Sequence, residues 1–340
     1  MTTTAKPMPI AELLGVLPSE RGLPWLKKSL QAAVALELST IPPYLCGMWS
    51  VIDQESEPAK LIKTVVLDEM WHMGLVCNML SAIGGTPDIA AAVPTYPCTL
   101  PGNVRQSFEV YLSGLTRDYV RHVYMEIEMP EHPLAMFEEE WPTIGKFYDA
   151  IREEFVVSQP ELVEGHQMTA TIGAKEQERK LEKFKSLADI EKAIKVIKEQ
   201  GEGTGKLPED PHLKQELAHY YKFGQIYHQQ KLKKVGDSWK FEGDNLPFPK
   251  THPMGILGKD RWSKQGTVDK KAVDPIDRFN SRYTNMMQLL DDAWKKGDKK
   301  AFSDGIGVMF TMADDAIDLM KIEIPDGTGN TYGPEFRFLK

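Results

Sequence analysis

The chain has 340 residues, 41% hydrophobic and 26% charged, which is the composition of an ordinary soluble globular protein with a core large enough to bury polar ligands. A net charge of −8 argues against a phosphate-collecting surface, so nucleic acid is not an expected partner. No apolar run reaches the ~18 residues of a membrane span, and Met1 to Pro9 lacks a signal-peptide core. Three scattered cysteines, Cys46, Cys77 and Cys98, give neither a disulfide framework nor a metal knuckle, so a reduced cytoplasmic setting is expected, away from membranes.

In chain order, Pro24 opens the first long helix, where Leu26, Leu30, Val34, Leu38 and Ile41 recur at helical spacing. Pro42 and Pro43 interrupt that pattern and predict a kink before Tyr44 to Val51. A second helix is expected from Ser56 to the stop at Gly84-Gly85, with Ile62, Val65, Glu69, His72, Val76, Leu80 and Ile83 on its inner stripe. A proline-rich connector, Pro87 to Pro101, predicts a crossover. Further helices are predicted over 107–128, 143–155, 186–201, 212–233, 277–295 and 299–320, while 158–180 carries no clear pattern. Residues 243–268 read as irregular surface structure, and Pro325 to Lys340 as glycine-rich coil docked on the body.

Two Glu-x-x-His pairs stand out, Glu69/His72 and Glu216/His219. Residues three apart on a helix lie about 60° apart around its axis, so both side chains can reach one cation. Carboxylate with imidazole suits iron, manganese or zinc better than magnesium or calcium. With 8 histidines and 49 acidic residues such pairs also arise by chance, as Glu209/His212 illustrates with Pro211 inside it. Placement sets the other two apart, because each lies within an apolar stripe where an unpaired carboxylate costs several kcal/mol. The alternative is a buried Glu–His hydrogen-bonded pair on each helix.

Helical bundles that bind two metal ions combine two such pairs with one Glu from each of two further helices. Glu37, flanked by Ala33 to Leu36, is the first such candidate, and Glu126 or Glu128 the second; these two point about 200° apart, so only one can face inward. Tyr44 and Tyr220 adjoin ligand positions and could donate hydrogen bonds to them. His122 reads as an exposed or ordinary core histidine and His166 as a loop histidine.

Several stretches carry a family resemblance: ELSTIPPYL (37–45), DEMWHMGLVCNMLSAIGGTP (68–87), MEIEMP (125–130), TIGKFYDAI (143–151), QGEGTG (200–205), HYYKFGQIY (219–227), RFNSRYTNMMQLL (278–290) and GPEFRF (333–338). With them the chain resembles the ferritin-like domain of the iminophenyl-pyruvate dimer synthase group of bisindole pigment and indolocarbazole biosynthesis. The resemblance implies Glu37, Glu69, His72, Glu216 and His219 as metal ligands, and its Ile-Glu-x-Pro motif selects Glu128 over Glu126. Lys146 departs from the family pattern, which often has Glu there.

The expected fold is all-α: a ferritin-like four-helix bundle with additional helices, over 20–235, and a C-terminal extension over 236–340 in which an irregular segment leads to a helical pair packed on the bundle. The expected cofactor is a pair of metal ions, iron foremost. The first functional reading is an O2-dependent oxidoreductase acting on a small molecule, an amine, imine or amino-acid derivative, in specialised metabolism. A non-enzymatic iron-binding bundle and a di-metal hydrolase are the alternatives. A homodimer through the extra helices is compatible with the pattern, although no motif carries it.

Overall fold

The computed structural model describes residues 8–99, 108–130, 144–173, 178–202, 208, 217–259, 262 and 268–339. A short helix, α1 (Ile10–Gly15), leads through a 3-10 turn at Pro18–Glu20 to the first long helix, α2 (Leu23–Ser50). Pro24 occupies its first turn, where a missing N–H leaves no bond unmade. The helix continues through Pro42 and Pro43. Pro43 cannot donate to the Ser39 carbonyl one turn earlier, and the Tyr96 hydroxyl does so instead at 2.7 Å. Gly47 is needed for a close crossing, because a Cβ there would collide with the Tyr124 hydroxyl, which donates to the Pro43 carbonyl at 2.8 Å.

α3 (Glu57–Ala82) starts with Glu57 and Pro58 in its first turn and ends at Gly84, whose φ of 68° is the left-handed stop the sequence predicts. α4 (Ile89–Ala92) is capped by Asp88, and β1 (Cys98–Thr99) pairs antiparallel with β2 (Glu109–Val110). The helix predicted over 107–128 is shorter than expected. Ser107 lies outside the described residues, and helix begins only at Arg117, with Thr116 accepting from the Tyr119 amide. The stretch before it is extended and pairs with a distant segment: the Gly114 amide donates to the Met254 carbonyl, and the Leu257 amide to the Leu112 carbonyl. This helix, α5, comprises Arg117–Tyr119, a π-helical stretch at Val120–Tyr124 and Met125–Ile127.

α6 (Ile144–Ser158) follows. The region without a predicted pattern contains a hairpin, β3 (Ala170–Ile172) with β4 (Arg179–Leu181). α7 (Leu187–Glu202) and α8 (His219–His228) come next, and α8 ends five residues short of the predicted helix because Gln229 adopts a left-handed φ of 57°. Lys233–Val235 and Ser238–Lys240 form the β5–β6 hairpin. α9 (Lys270–Lys296) starts earlier than the predicted Asp277 because Asp269 caps it. Gly297 (φ 69°) and the cap Asp298 turn it sharply into α10 (Lys299–Leu319).

α2 and α3 pack along each other. α8 lies across α3 and α5, α6 rests on α2 and α7, and the α9–α10 pair covers the outer side of α2. Buried Asn78 of α3 joins distant segments: its amide donates to the carbonyls of Met168 and Glu182, while its Oδ1 accepts from the Met168 amide and the Trp294 indole. The tail docks as expected, with Phe336 stacked on Trp49 and the Glu335 carboxylate accepting from the Trp262 amide and Asn280. Among the described residues the fold is an all-α bundle with three short two-stranded sheets, and no helix is long and apolar enough to cross a membrane.

Candidate metal centre

The inner stripes of α2 and α3 bring Glu37 and the Glu69/His72 pair together, as their spacing predicts. Glu128, at the C-terminal end of α5, and His219, the first residue of α8, complete the cluster. All five residues are buried. His72 Nδ1 lies 3.7 Å from Glu37 Oε2 and 3.7 Å from Glu69 Oε1. His219 Nδ1 lies 3.0 Å from Glu69 Oε1 and 3.5 Å from Glu128 Oε2. Two groups able to hold a cation result, Glu37/Glu69/His72 and Glu69/Glu128/His219, with ligand atoms within 4.8 Å of one another in each. Glu69 belongs to both. The two imidazole rings lie nearly parallel, 5.8 Å apart.

Of the other predicted positions, Glu216 lies outside the described residues. Its partner in the motif, His219, opens α8 directly after the extended Ala218 (φ −61°, ψ 157°). Glu126 turns away from the cluster to pair with Arg121 at 2.5 Å. His122 is exposed, His166 is a loop residue facing the Trp294 carbonyl at 2.9 Å, and Lys146 is exposed beside the buried Phe147 and Tyr148.

Partners around the cluster fix which atoms face inward. His219 Nε2 lies 3.2 Å from Asp68 Oδ2, and His72 Nε2 lies 2.7 Å from Gln200 Oε1. Both partners accept, so each imidazole carries its proton on Nε2 and turns the lone pair of Nδ1 towards the carboxylates. In the neutral imidazole lone pairs then face lone pairs, a conflict that a second proton, on Nδ1, relieves in the metal-free protein. His219 Nδ1 is buried without a hydrogen-bond partner among the described residues, although a carboxylate oxygen is only 3.0 Å away. A cation between them removes that conflict, and the hard-oxygen and imidazole donor set suits a first-row transition metal.

The carboxylates are held as firmly. Thr40 donates to Glu69 Oε2 at 2.8 Å, Tyr44 to Glu128 Oε1 at 2.6 Å, and Tyr148 to Glu37 Oε1. Burial, reinforced by Glu128 and Glu37 respectively, pushes both phenols well above their ordinary value, so they remain protonated donors. Burial works against an ionised Asp68, yet His219, Lys222 and Arg179 together hold it far below the usual carboxylate range. Arg179 Nε donates to Asp68 Oδ1 at 2.6 Å with both side chains buried. In the metal-free protein burial opposes charge on the histidines too. The carboxylates outweigh it, raising His72 through Glu37 and Glu69, and His219 well above its ordinary value through Glu128 and Asp68.

Tyr44 is a residue the sequence points to. Asp68, Gln200, Arg179, Thr40 and Tyr148 are partners it does not single out, although Thr40, Asp68, Tyr148 and Gln200 all fall inside the resembling stretches.

No curated protein matches the chain. Among solved structures, a ferritin-like protein from Caulobacter vibrioides superposes with a TM-score of 0.64 at 20% identity, covering 93% of this chain and 98% of that one, a likeness that concerns the fold. The ferritin-like family profile matches residues 30–228, which run from the second turn of α2 to the end of α8 and hold the whole cluster, and the chain belongs to the ferritin-like family.

Proposed function

We propose that the chain is a non-haem di-iron oxidoreductase that uses O2 on a small molecule, an amine, imine or amino-acid derivative, in specialised metabolism in the cytoplasm. The observation that carries this reading is Glu69, one carboxylate shared by two histidine-containing groups, with the orphaned Nδ1 of His219 beside it. Glu37, Glu69 and His72 would hold one ion and Glu69, Glu128 and His219 the other; Glu216 stays in the proposed ligand set on the strength of the family resemblance. Bound ferrous iron supplies the electron chemistry with O2.

The protein's own work is positioning. Asp68 and Gln200 hold each imidazole by its Nε2 proton, the kind of support that keeps ligand geometry and basicity constant. Thr40, Tyr44 and Tyr148 occupy carboxylate oxygens that would otherwise admit water. Access is supported by a cavity of about 760 Å³ between α7 and the β3–β4 hairpin. Charged side chains of both signs line it, and it reaches Gln200 and Arg179, so a polar substrate there lies one side chain from His72 and from Asp68. The amine or imine substrate class rests on the family resemblance.

Anaerobic loading with ferrous iron followed by air tests the proposal. Two irons per chain and oxygen uptake coupled to an added amine or imine are expected. Uptake that yields only ferric oxide would make the protein an iron handler, bound metal without oxygen chemistry would point to a hydrolase, and a chain that binds no metal would sink the reading.

A further inference from the structure

Glu128 joins the metal cluster to a line of aromatic rings. Its Oε1 accepts from the Tyr44 hydroxyl at 2.6 Å. From Tyr44 the rings run on, edge to face and then tilted, to Tyr124, Tyr119 and Tyr111, with successive centroids 4.8, 5.0 and 5.2 Å apart. Each step lies within the spacing of interacting aromatic pairs, about 4.5–7 Å. Tyr44, Tyr124 and Tyr119 are buried, whereas Tyr111, in the extended stretch before α5, is partly exposed. The line therefore starts on a proposed ligand and ends at the surface.

The phenols differ along the line in what can take their protons. Tyr124 donates to the Pro43 carbonyl at 2.8 Å, and Tyr119 to the Tyr111 carbonyl at 2.5 Å. A peptide carbonyl is too weak a base to take a phenolic proton, and burial holds both phenols well above their ordinary value. Oxidised without losing its proton, a phenol becomes a cation radical, which is far harder to form than the neutral radical. The middle rings are therefore a bridge rather than stopping points. At Tyr111, burial and then the charge of Asp118 raise the phenol, so an exposed carboxylate able to accept a proton lies near it. Electron transfer weakens steeply with the gap to be tunnelled, and packed π-systems bridge a gap better than aliphatic side chains do.

We propose that this line of tyrosines carries electrons between the surface and the metal centre, and that without organic substrate the oxidised centre is discharged at Tyr111. The inference rests on the di-iron reading. Tyr111 loses one electron and becomes a neutral phenoxyl radical, its proton passing to Asp118 or to water. The electron crosses the rings of Tyr119, Tyr124 and Tyr44, which end unchanged, and is taken up by the metal centre after its reaction with O2. Trp71, 6.0 Å from the His72 ring and partly exposed, is the competing outlet. Its indole N–H donates to the Lys180 carbonyl at 3.1 Å, so its proton also faces a weak base.

Full-length protein loaded anaerobically with ferrous iron is exposed to O2 with catalase present and no organic substrate. Samples are frozen for electron paramagnetic resonance, or treated with a nitrone spin trap and digested for mass spectrometry. A tyrosyl signal and a trap adduct on Tyr111 are expected. Tyr111→Phe should abolish the adduct while iron content and oxygen uptake stay unchanged. Tyr119→Leu, which interrupts the rings, should suppress labelling of Tyr111, whereas Tyr119→Phe, which keeps the ring, should retain it. If the leucine variant fails to fold, Tyr111→Phe still decides. Oxygen uptake without a tyrosyl signal, a Tyr119→Leu chain labelled as well as the wild type, or an adduct on Trp71 instead would overturn the relay and leave the di-iron reading standing. Absence of oxygen chemistry in the wild type would overturn both.

Discussion

With no cation beside it, Glu69 is a carboxylate among carboxylates. Burial, and then the charges of Glu128 and Glu37, push it up to about 7 despite the opposing histidines. Its folded value lies above its unfolded 4.5, so its contribution to stability is complete below that value and disappears as pH rises through about 7. His72 and His219 are raised from 6.5 and act in the same direction, losing their contribution as pH climbs above that value. Asp68, shifted downward, matters only in acid, below 3.8. The melting temperature of chelator-treated protein should therefore fall as pH rises from about 4.5 through about 7, and bound metal should flatten that slope. A flat metal-free profile would contradict the buried-carboxylate account. Gln200 offers a test that leaves the ligands intact: Gln200→Met should lower iron affinity about tenfold in chelator competition, because His72 loses the partner of its Nε2 proton. At this scale the sequence is legible where a charged residue interrupts an apolar stripe, as Glu37, Glu69 and His72 do. Asp68 escapes notice because it is 100° around the helix from Glu69, and its burial depends on Arg179, 111 residues away.

At the scale of elements, the crossing of α2 and α5 depends on what Gly47 leaves out. Gly47→Ala should cost about 1–3 kcal/mol in urea unfolding, since the Tyr124 hydroxyl is fixed by its bond to Pro43 and cannot swing clear. Adding Tyr124→Phe to that variant should recover part of the loss, a coupling that a general packing defect would not show. The long helices α2, α3, α9 and α10 were open to prediction because their apolar period runs over many turns and their ends carry proline, glycine or aspartate signals. The start of α5 was not. Its preceding residues, Tyr111 to Leu115, are as apolar as a helix would be, and what makes them extended is pairing with residues 254–257, which no local pattern encodes. Similarly, the β3–β4 hairpin has three-residue strands, too short for alternation to register.

For the whole molecule, Asn78 is the residue that ties α3, the hairpin region and α9 together. Asn78→Ala should destabilise by about 2–4 kcal/mol, since it strips partners from the Met168 amide and the Trp294 indole at once; a loss below about 1 kcal/mol would mean the three segments are held by apolar packing alone. Arg179→Leu should be as damaging, about 3–5 kcal/mol, because Asp68 would stay buried short of a cation. These connections also bear on how the chain is made. Trp294 meets Asn78 across 216 positions. At about 5–20 residues per second, a ribosome takes on the order of 10–40 seconds to travel that distance. For that interval the greasy backs of α2 and α3 have emerged while the helices that roof them do not yet exist, so each nascent copy must wait, unsheltered, for its own last third.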